Sequence, residues 1–228
     1  MEKKIKITPN GPYEISPGIP MQQAVIGIDD KGTSEKWEKG KAYPSETEPY
    51  HICRCGHSKN KPYCDGTHNE IGFEGEEVAS RAPYNEQAIR YEGETVDLLD
   101  NESLCASMRF CDRGPTVWRA AMESGNPENR ALAIEEACAC AAGRLTVVEK
   151  DGTAHEENLP QEISPIEDTA AGMRGPLWVK GGIPIEGADG QEYELRNRMT
   201  LCRCGESSNL PFCDTSHLRC PHMDGFDQ

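Results

Sequence analysis

Two stretches of this chain carry the same ordered set of soft donors, and together they constrain the fold more than any other feature. Cys53, Cys55, Cys64 and His68 form the first set, Cys202, Cys204, Cys213 and His217 the second, each with gaps of one, eight and three residues. Cys53 and Cys55, one residue apart in extended chain, can reach neighbouring positions on one metal centre. Cys64 and His68 come back to it after a turn that Asn60, Lys61 and Pro62 suit. Asp65 stands where a helix N-cap would be, so His68 is expected in the first turn of a short helix whose free N–H groups favour an anionic group. Two metal sites are the starting expectation. Structural zinc also accepts three Cys and one His, but its first pair is usually spaced by two to four residues.

Composition supports a chain held together by such sites. Only 36% of the 228 residues are hydrophobic and 6% aromatic, so the core is thin and staples are expected. Eleven cysteines grouped like metal ligands, behind no charged-then-apolar leader, suggest a reducing cytoplasm rather than disulfides. No apolar run approaches the roughly 20 residues of a membrane span. The net charge of −15 argues against nucleic acid and suits a basic protein surface, although scattered acidity equally reads as a solvated face. With no nucleotide-binding glycine loop and no nucleophile beside a base, the expectation is not an enzyme.

The donor sets sit inside a longer repeat. Gly11-Pro12 followed by Gly18-Ile19-Pro20 recurs as Gly175-Pro176 followed by Gly182-Ile183-Pro184, and each copy leads into Cys-Arg-Cys-Gly. Lys3-Lys4-Ile5-Lys6-Ile7 alternates like a half-buried strand. Residues 27–32 read as a turn. Three segments follow: 1–77, 78–160 and 161–228. In the middle one, residues 94–99 alternate like a strand and Asn101-Glu102-Ser103 reads as a turn. Asn126 and Pro127 open a helix running through Ala131, Ile134 and Ala137 to Cys138 and Cys140, with Gly143 ending it. A strand over residues 144–148 and a turn at Asp151-Gly152 complete it.

Cys53 to His68 resembles, at every defining position, the CDGSH iron-sulfur motif of mitoNEET-type proteins. The second copy keeps Ser207, Pro211, Cys213, Asp214, Ser216 and His217 but has Thr215 where the motif has glycine, a residue ill suited to glycine's dihedrals. The resemblance implies a 2Fe-2S cluster on each Cys3His set. It also implies an α+β fold of small, strand-rich halves pairing as an intramolecular pseudo-dimer, with beads on a string as the alternative, and so a monomer rather than an obligate dimer.

The region Cys105-Ala106-Ser107-Met108-Arg109-Phe110-Cys111, with the helix into Cys140-Ala141-Ala142-Gly143, resembles a single-cluster bacterial ferredoxin. Ala141 replaces the usual proline, and Met108 holds the middle position where relatives carry a further ligand. Cys105, Cys111 and Cys140 alone imply a 3Fe-4S cluster, and Cys138 as a fourth thiolate a 4Fe-4S cluster. The bland reading of a lone buried Cys is a small hydrophobe.

One neutral imidazole in place of a thiolate removes a negative charge and eases reduction, as in Rieske centres. His68 and His217 would then couple electron and proton transfer and make the clusters acid-labile. The expected function is one-electron, proton-coupled transfer with a redox partner protein. The alternatives are cluster storage, sensing or transfer to an apo-acceptor, and a zinc-stabilised interaction module. His51, His57 and His222 flank the loops, and Cys220 reads as a spare thiol.

Overall fold

The computed structural model describes residues 3–44 and 48–227. The first segment supplies strands β1 (Ile5–Ile7), β2 (Tyr13–Ile15), β3 (Gln22–Ile28), β4 (Ser34–Ala42) and β5 (Tyr50–Ile52), then helix α1 (Thr67–Glu70). The middle carries α2 (Tyr84–Gln87), β6 (Ile89–Glu92), β7 (Val96–Asp100), α3 (Val117–Met122), α4 (Pro127–Ala139) and β8 (Leu145–Glu149). The last segment adds β9 (Glu162–Asp168), β10 (Met173–Lys180), β11 (Ile185–Glu186) and β12 (Arg198–Leu201). The fold is α+β and rich in strand. Among the described residues no helix is long and apolar enough to cross a membrane.

Strand order shows how the repeat is used. One sheet runs β11-β1-β2-β5 and another β12-β10-β9-β3-β4. Tyr13 on β2 pairs with Ile52 on β5, and Leu177 on β10 pairs with Leu201 on β12, each partner being the residue before a Cys-Arg-Cys segment. Ile5 on β1 pairs in parallel with Ile185, while Ile163 on β9 bridges Met21 in parallel. The strand after each Gly-Ile-Pro therefore joins the sheet of the other segment. Ile5, Ile7, Tyr13, Ile15 and Ile52 bury with Ile163, Leu177, Val179 and Leu201 in one apolar core drawn from both segments. The alternation of β1 explains its share: Ile5 and Ile7 are buried while Lys6 faces out.

The middle segment forms its own sheet, β6-β7-β8, backed by α3 and α4. As expected, Asn126 caps α4, its Oδ1 accepting from Glu128 N at 2.8 Å with Pro127 at the first position. The helix stops at Ala139, so Cys140 lies just beyond it. The expected alternation over residues 94–99 is not kept. β7 is buried along its whole length as the central strand, with Asp97 and Asp100 neutralised by Arg90 and Lys150 and by Arg144. The turn expected at Asn101-Glu102-Ser103 is a single 3-10 turn over Glu102–Leu104.

Trp37 and Arg198 are among the side chains that fasten the middle segment to the others. Trp37 Nε1 on β4 donates to Ala139 O at 2.9 Å, and its ring packs on Phe110 and Trp178. Arg198 on β12, 1% exposed, donates to the α4 end carbonyls of Cys138 and Cys140 at 3.1 and 2.9 Å, also reaches Ala137 O, and pairs with Glu156 at 2.6 Å. A guanidinium at a helix C-terminus satisfies carbonyls that have no intrahelical donor. Arg198→Leu leaves the carbonyls at the end of α4 without their donor and is expected to cost about 1–3 kcal/mol, read as a lower urea midpoint. Hydrogen exchange should quicken first at residues 137–145.

Candidate metal centres

Each Cys3His set is built by a short strand, a hairpin-like loop and one turn of helix. β5 delivers Cys53, whose N–H donates to Pro62 O at 2.8 Å, and Cys64 N donates back to His51 O at 2.9 Å. The same pair of bonds recurs from Cys202 to Pro211 O at 2.8 Å and from Cys213 to Thr200 O at 3.0 Å. Inside the loops, Ser58 and Ser207 hydroxyls donate to Tyr63 O and Phe212 O at 2.6 and 2.7 Å. Asp65 accepts from Lys59 N and Thr67 N, and Asp214 from Ser208 N and Ser216 N. These bonds hold the Asp65 carboxyl down at about 2. For Asp214 burial works the other way and is overcome by Ser208 and Ser216, again giving about 2. Asp65 thus braces the turn, while Gly66, at φ 91°, is the residue before α1. Thr215 takes the same left-handed conformation, φ 76°, which costs a β-branched residue about 1–3 kcal/mol. The bracing around Asp214 holds it there.

The donors meet in pairs. Sγ of Cys53 and Cys55 are 3.8 Å apart, and those of Cys202 and Cys204 are 3.6 Å apart. Cys64 Sγ to His68 Nδ1 and Cys213 Sγ to His217 Nδ1 are both 3.4 Å. Two donors on one tetrahedral metal, with bonds of about 2.3 Å to sulfur and about 2.0 Å to nitrogen, stand about 3.5–3.8 Å apart. Among the described residues no three His, Cys, Asp or Glu converge as the donor set of a single ion. The hydrogen bond from Cys55, with the N–H groups of Ser58 and Gly56, draws the Cys53 thiol down to about 6 against its burial. Cys204, Ser207 and Gly205 do the same for Cys202, to about 7. The hydrogen bond each makes to its partner sulfur, then burial, then repulsion from that anionic sulfur push the Cys55 and Cys204 thiols up. A metal cation bound by both sulfurs takes that second proton's place.

The two sets touch and yet differ. A Cβ on Gly56 would lie 2.7 Å from Cys204 O, and one on Gly205 would lie 2.8 Å from Cys55 O, so the loops stand back to back. His57 Nδ1–H donates to Cys55 O at 2.8 Å and His222 Nε2–H to Cys204 O at 2.9 Å, with the rings stacked at 4.2 Å. Tyr13 of the first segment donates to Cys202 O at 2.7 Å. Cys64 and His68 are partly exposed, whereas Cys213 and His217 are 3% and 1% exposed. Burial pushes His217 down to about 4, and its Nε2 has no partner. Arg54 and Arg203, the middle residues of the two Cys-Arg-Cys segments, both point inward at 1% exposure. Arg203 pairs with Asp227 at 2.5 Å, while Arg54 meets carbonyls and the faces of Tyr13 and Phe73. The equal placement of arginine in both repeats was the signal for this role, which reading the ligands alone missed.

In the middle segment Cys105, Cys111 and Cys140 line one cavity of about 180 Å³ with Met108, Trp118 and Arg144. Burial, helped by Asp112, Cys140 and Cys105, pushes the Cys111 thiol up to about 12. Met108 packs into an apolar cluster with Ala106, Ala141, Trp178 and Cys213, filling the position of a further ligand. Cys138 does not join the trio. Its Sγ donates to His155 O at 3.6 Å, and it lines a separate recess with Arg130 and Ile134. Residues two apart on a helix point to nearly opposite sides, so Cys138, still helical, and Cys140, just past the end, cannot share a face. Cys220 is buried against Cys202 and Cys204, with its thiol donating to Ser216 O at 3.2 Å, and is no surface thiol. His51 faces Glu14 at 3.7 Å on the outer side of its sheet. All eleven cysteines are free. Cys140→Ala is expected to abolish iron retention at the central cavity, while Cys138→Ala leaves it intact, as iron and sulfide analysis would read.

The comparisons with known families coincide with these three places. Residues 10–69 and 174–218 match the model of the iron-binding zinc finger CDGSH type, and residues 91–150 that of the divergent 4Fe-4S mono-cluster. No curated protein and no solved structure matches the chain. Braced loops, paired donors and a three-thiol cavity thus fall where the family models fall: two segments of the chain are of the CDGSH iron-binding type, and they flank a segment of the divergent 4Fe-4S mono-cluster type.

Proposed function

We propose that the chain is a one-electron carrier holding a 2Fe-2S cluster on Cys53, Cys55, Cys64 and His68, another on Cys202, Cys204, Cys213 and His217, and a 3Fe-4S cluster on Cys105, Cys111 and Cys140. The observation that carries it is the arrival of donors as two pairs per loop, with no three converging on one ion among the described residues, which suits a two-iron centre and disfavours a lone zinc. Bound there, such clusters supply one-electron couples. The chain's own residues exclude water from Cys53, Cys55 and the whole second set, and set the local charge through Arg54, Arg203 and Asp227. Segments 1–77 and 161–228 act as an intramolecular pseudo-dimer, a reading supported by the mirrored registers and exchanged strands, with 78–160 as a ferredoxin-like insert. Cys213 and Cys140 share one apolar cluster, which places the central thiols beside the second set. A reducing cytoplasm suits eleven free thiols.

Anaerobic iron and sulfide analysis with electron paramagnetic resonance tests the reading. A signal of the oxidised protein from the central segment and two reducible 2Fe-2S signals are expected, and zinc without sulfide sinks it. His68→Cys adds a negative charge and is expected to lower the potential of the first signal alone.

Cluster donation to an apo-acceptor is the second reading, favoured by the partly exposed Cys64 and His68. An iron chelator should bleach the protein in two phases, the first set emptying several-fold faster than the shielded second. Equal rates would remove the support for donation from the first set.

A further inference from the structure

The chain carries a net charge of −15, and its overall field therefore favours basic partners. One recess runs against that field. Lys59, Lys61 and Arg174 line a space of about 580 Å³ whose other walls include His57, His222 and Asp227. Lys59 is exposed, and Lys61 Nζ donates only to the carbonyl of Ser58, at 2.8 Å. The carboxylates at hand are committed elsewhere. Asp227 is held by Arg174 at 2.8 Å and Arg203 at 2.5 Å, and Asp65 by the N–H groups of Lys59 and Thr67. Glu206 stands beside His222 on the opposite loop and is outside the recess lining. The exposed Lys59 and the half-buried Lys61 therefore set the charge of the recess. At physiological salt the Debye length is about 8 Å, so charges elsewhere on the surface are largely screened there and the local sign decides what docks.

The recess also lies on the seam of both Cys3His loops. Its stacked rings bond directly to the peptide carbonyls of Cys55 and Cys204, and Gly56 abuts Cys204. Lys61 is close enough to Cys53 to favour its thiolate, while burial draws the Lys61 ammonium itself down. An occupant would therefore sit one residue from donors of both sets, on the side of the less shielded one.

We propose that this recess is the docking surface for an acidic patch on the redox partner protein, which reaches the first Cys3His set through it. The proposal rests on the electron-carrier reading above. In each encounter the partner gains the one electron that the loaded chain loses, and no bond forms or breaks.

The test uses the full-length, cluster-loaded, reduced protein mixed with the anionic oxidant ferricyanide over a range of ionic strength, and separately its anaerobic binding of a fluorescent hexaglutamate peptide. Reoxidation should slow several-fold as salt rises, and Lys59→Glu with Lys61→Glu should reverse that slope. The peptide should bind the unaltered chain and not the double variant. Lys59→Glu alone, at an exposed position, should give an intermediate slope with an unchanged absorption spectrum. A rate that rises with salt in the unaltered chain, as the net charge alone dictates, overturns the proposal, as does an unchanged slope in the variants. Displacement of the peptide by inorganic phosphate at constant ionic strength overturns it in favour of a small phosphate-bearing ligand. A chain that cannot be reduced at all overturns the electron-carrier reading instead, and peptide binding then still decides the recess.

Discussion

The exchange of strands between the two repeats is the interaction on which the rest of the structure depends. β1, β2, β5 and β11 have two or three residues each, too short to hold a sheet alone. They persist because β11 completes the edge beside β1 while β3 completes the edge beside β9. The same crossing pools isoleucines and leucines of both segments into one core, which a chain with 6% aromatics needs. It also fixes where β5 and β12 end, and thus where both Cys-Arg-Cys segments begin. The back-to-back contact of Gly56 and Gly205 follows from that register.

Buried charge then separates two loops whose backbones are nearly superimposable in their bonding. Arg203 is met by Asp227 and, farther off, by Glu167, whose carboxyl burial pushes up to about 7. Arg54 has carbonyls and aromatic faces instead. A buried cation facing a carboxylate contributes little net field at the neighbouring thiolates, whereas one facing only dipoles contributes more. The middle segment adds to the difference by covering Cys213 and His217. Arg109 on its loop bonds Asp168 on β9 at 2.6 and 2.9 Å, and Trp37 and Arg198 hold its helix end from two other strands.

Local chemistry was legible. Asn126, Pro127 and the periodicity behind them specify α4, because capping and a fixed proline φ act within a few residues. Asp65 reads as a helix N-cap, but Gly66 takes that place and the carboxylate braces the loop through Lys59 N and Thr67 N instead. Thr215 is the instructive case: its side chain argues against the left-handed conformation, and the hydrogen bonds of Asp214 with Ser208 and Ser216 impose it anyway. Residues 94–99 read as an alternating half-buried strand, but burial on both faces is decided by what packs on a strand, not by the strand. Cys138 and Cys140 look equivalent in sequence and differ because the helix ends between them.

The sequence by itself determined the donors, their order and the loop bonding that pairs them, since all of these are set by contacts between residues near in the chain. It also determined, through the repeated Gly-Pro and Gly-Ile-Pro steps, that the two sites are copies. Only the tertiary structure decided that the copies exchange strands, that Cys220, His222 and Arg203 gather behind the second set, and that one imidazole is shielded while the other meets solvent. The strand exchange and the cover over the second set depend on groups more than a hundred residues apart, and the gathering of Cys220, His222 and Arg203 on packing beyond the loop itself, so no local pattern carries that information.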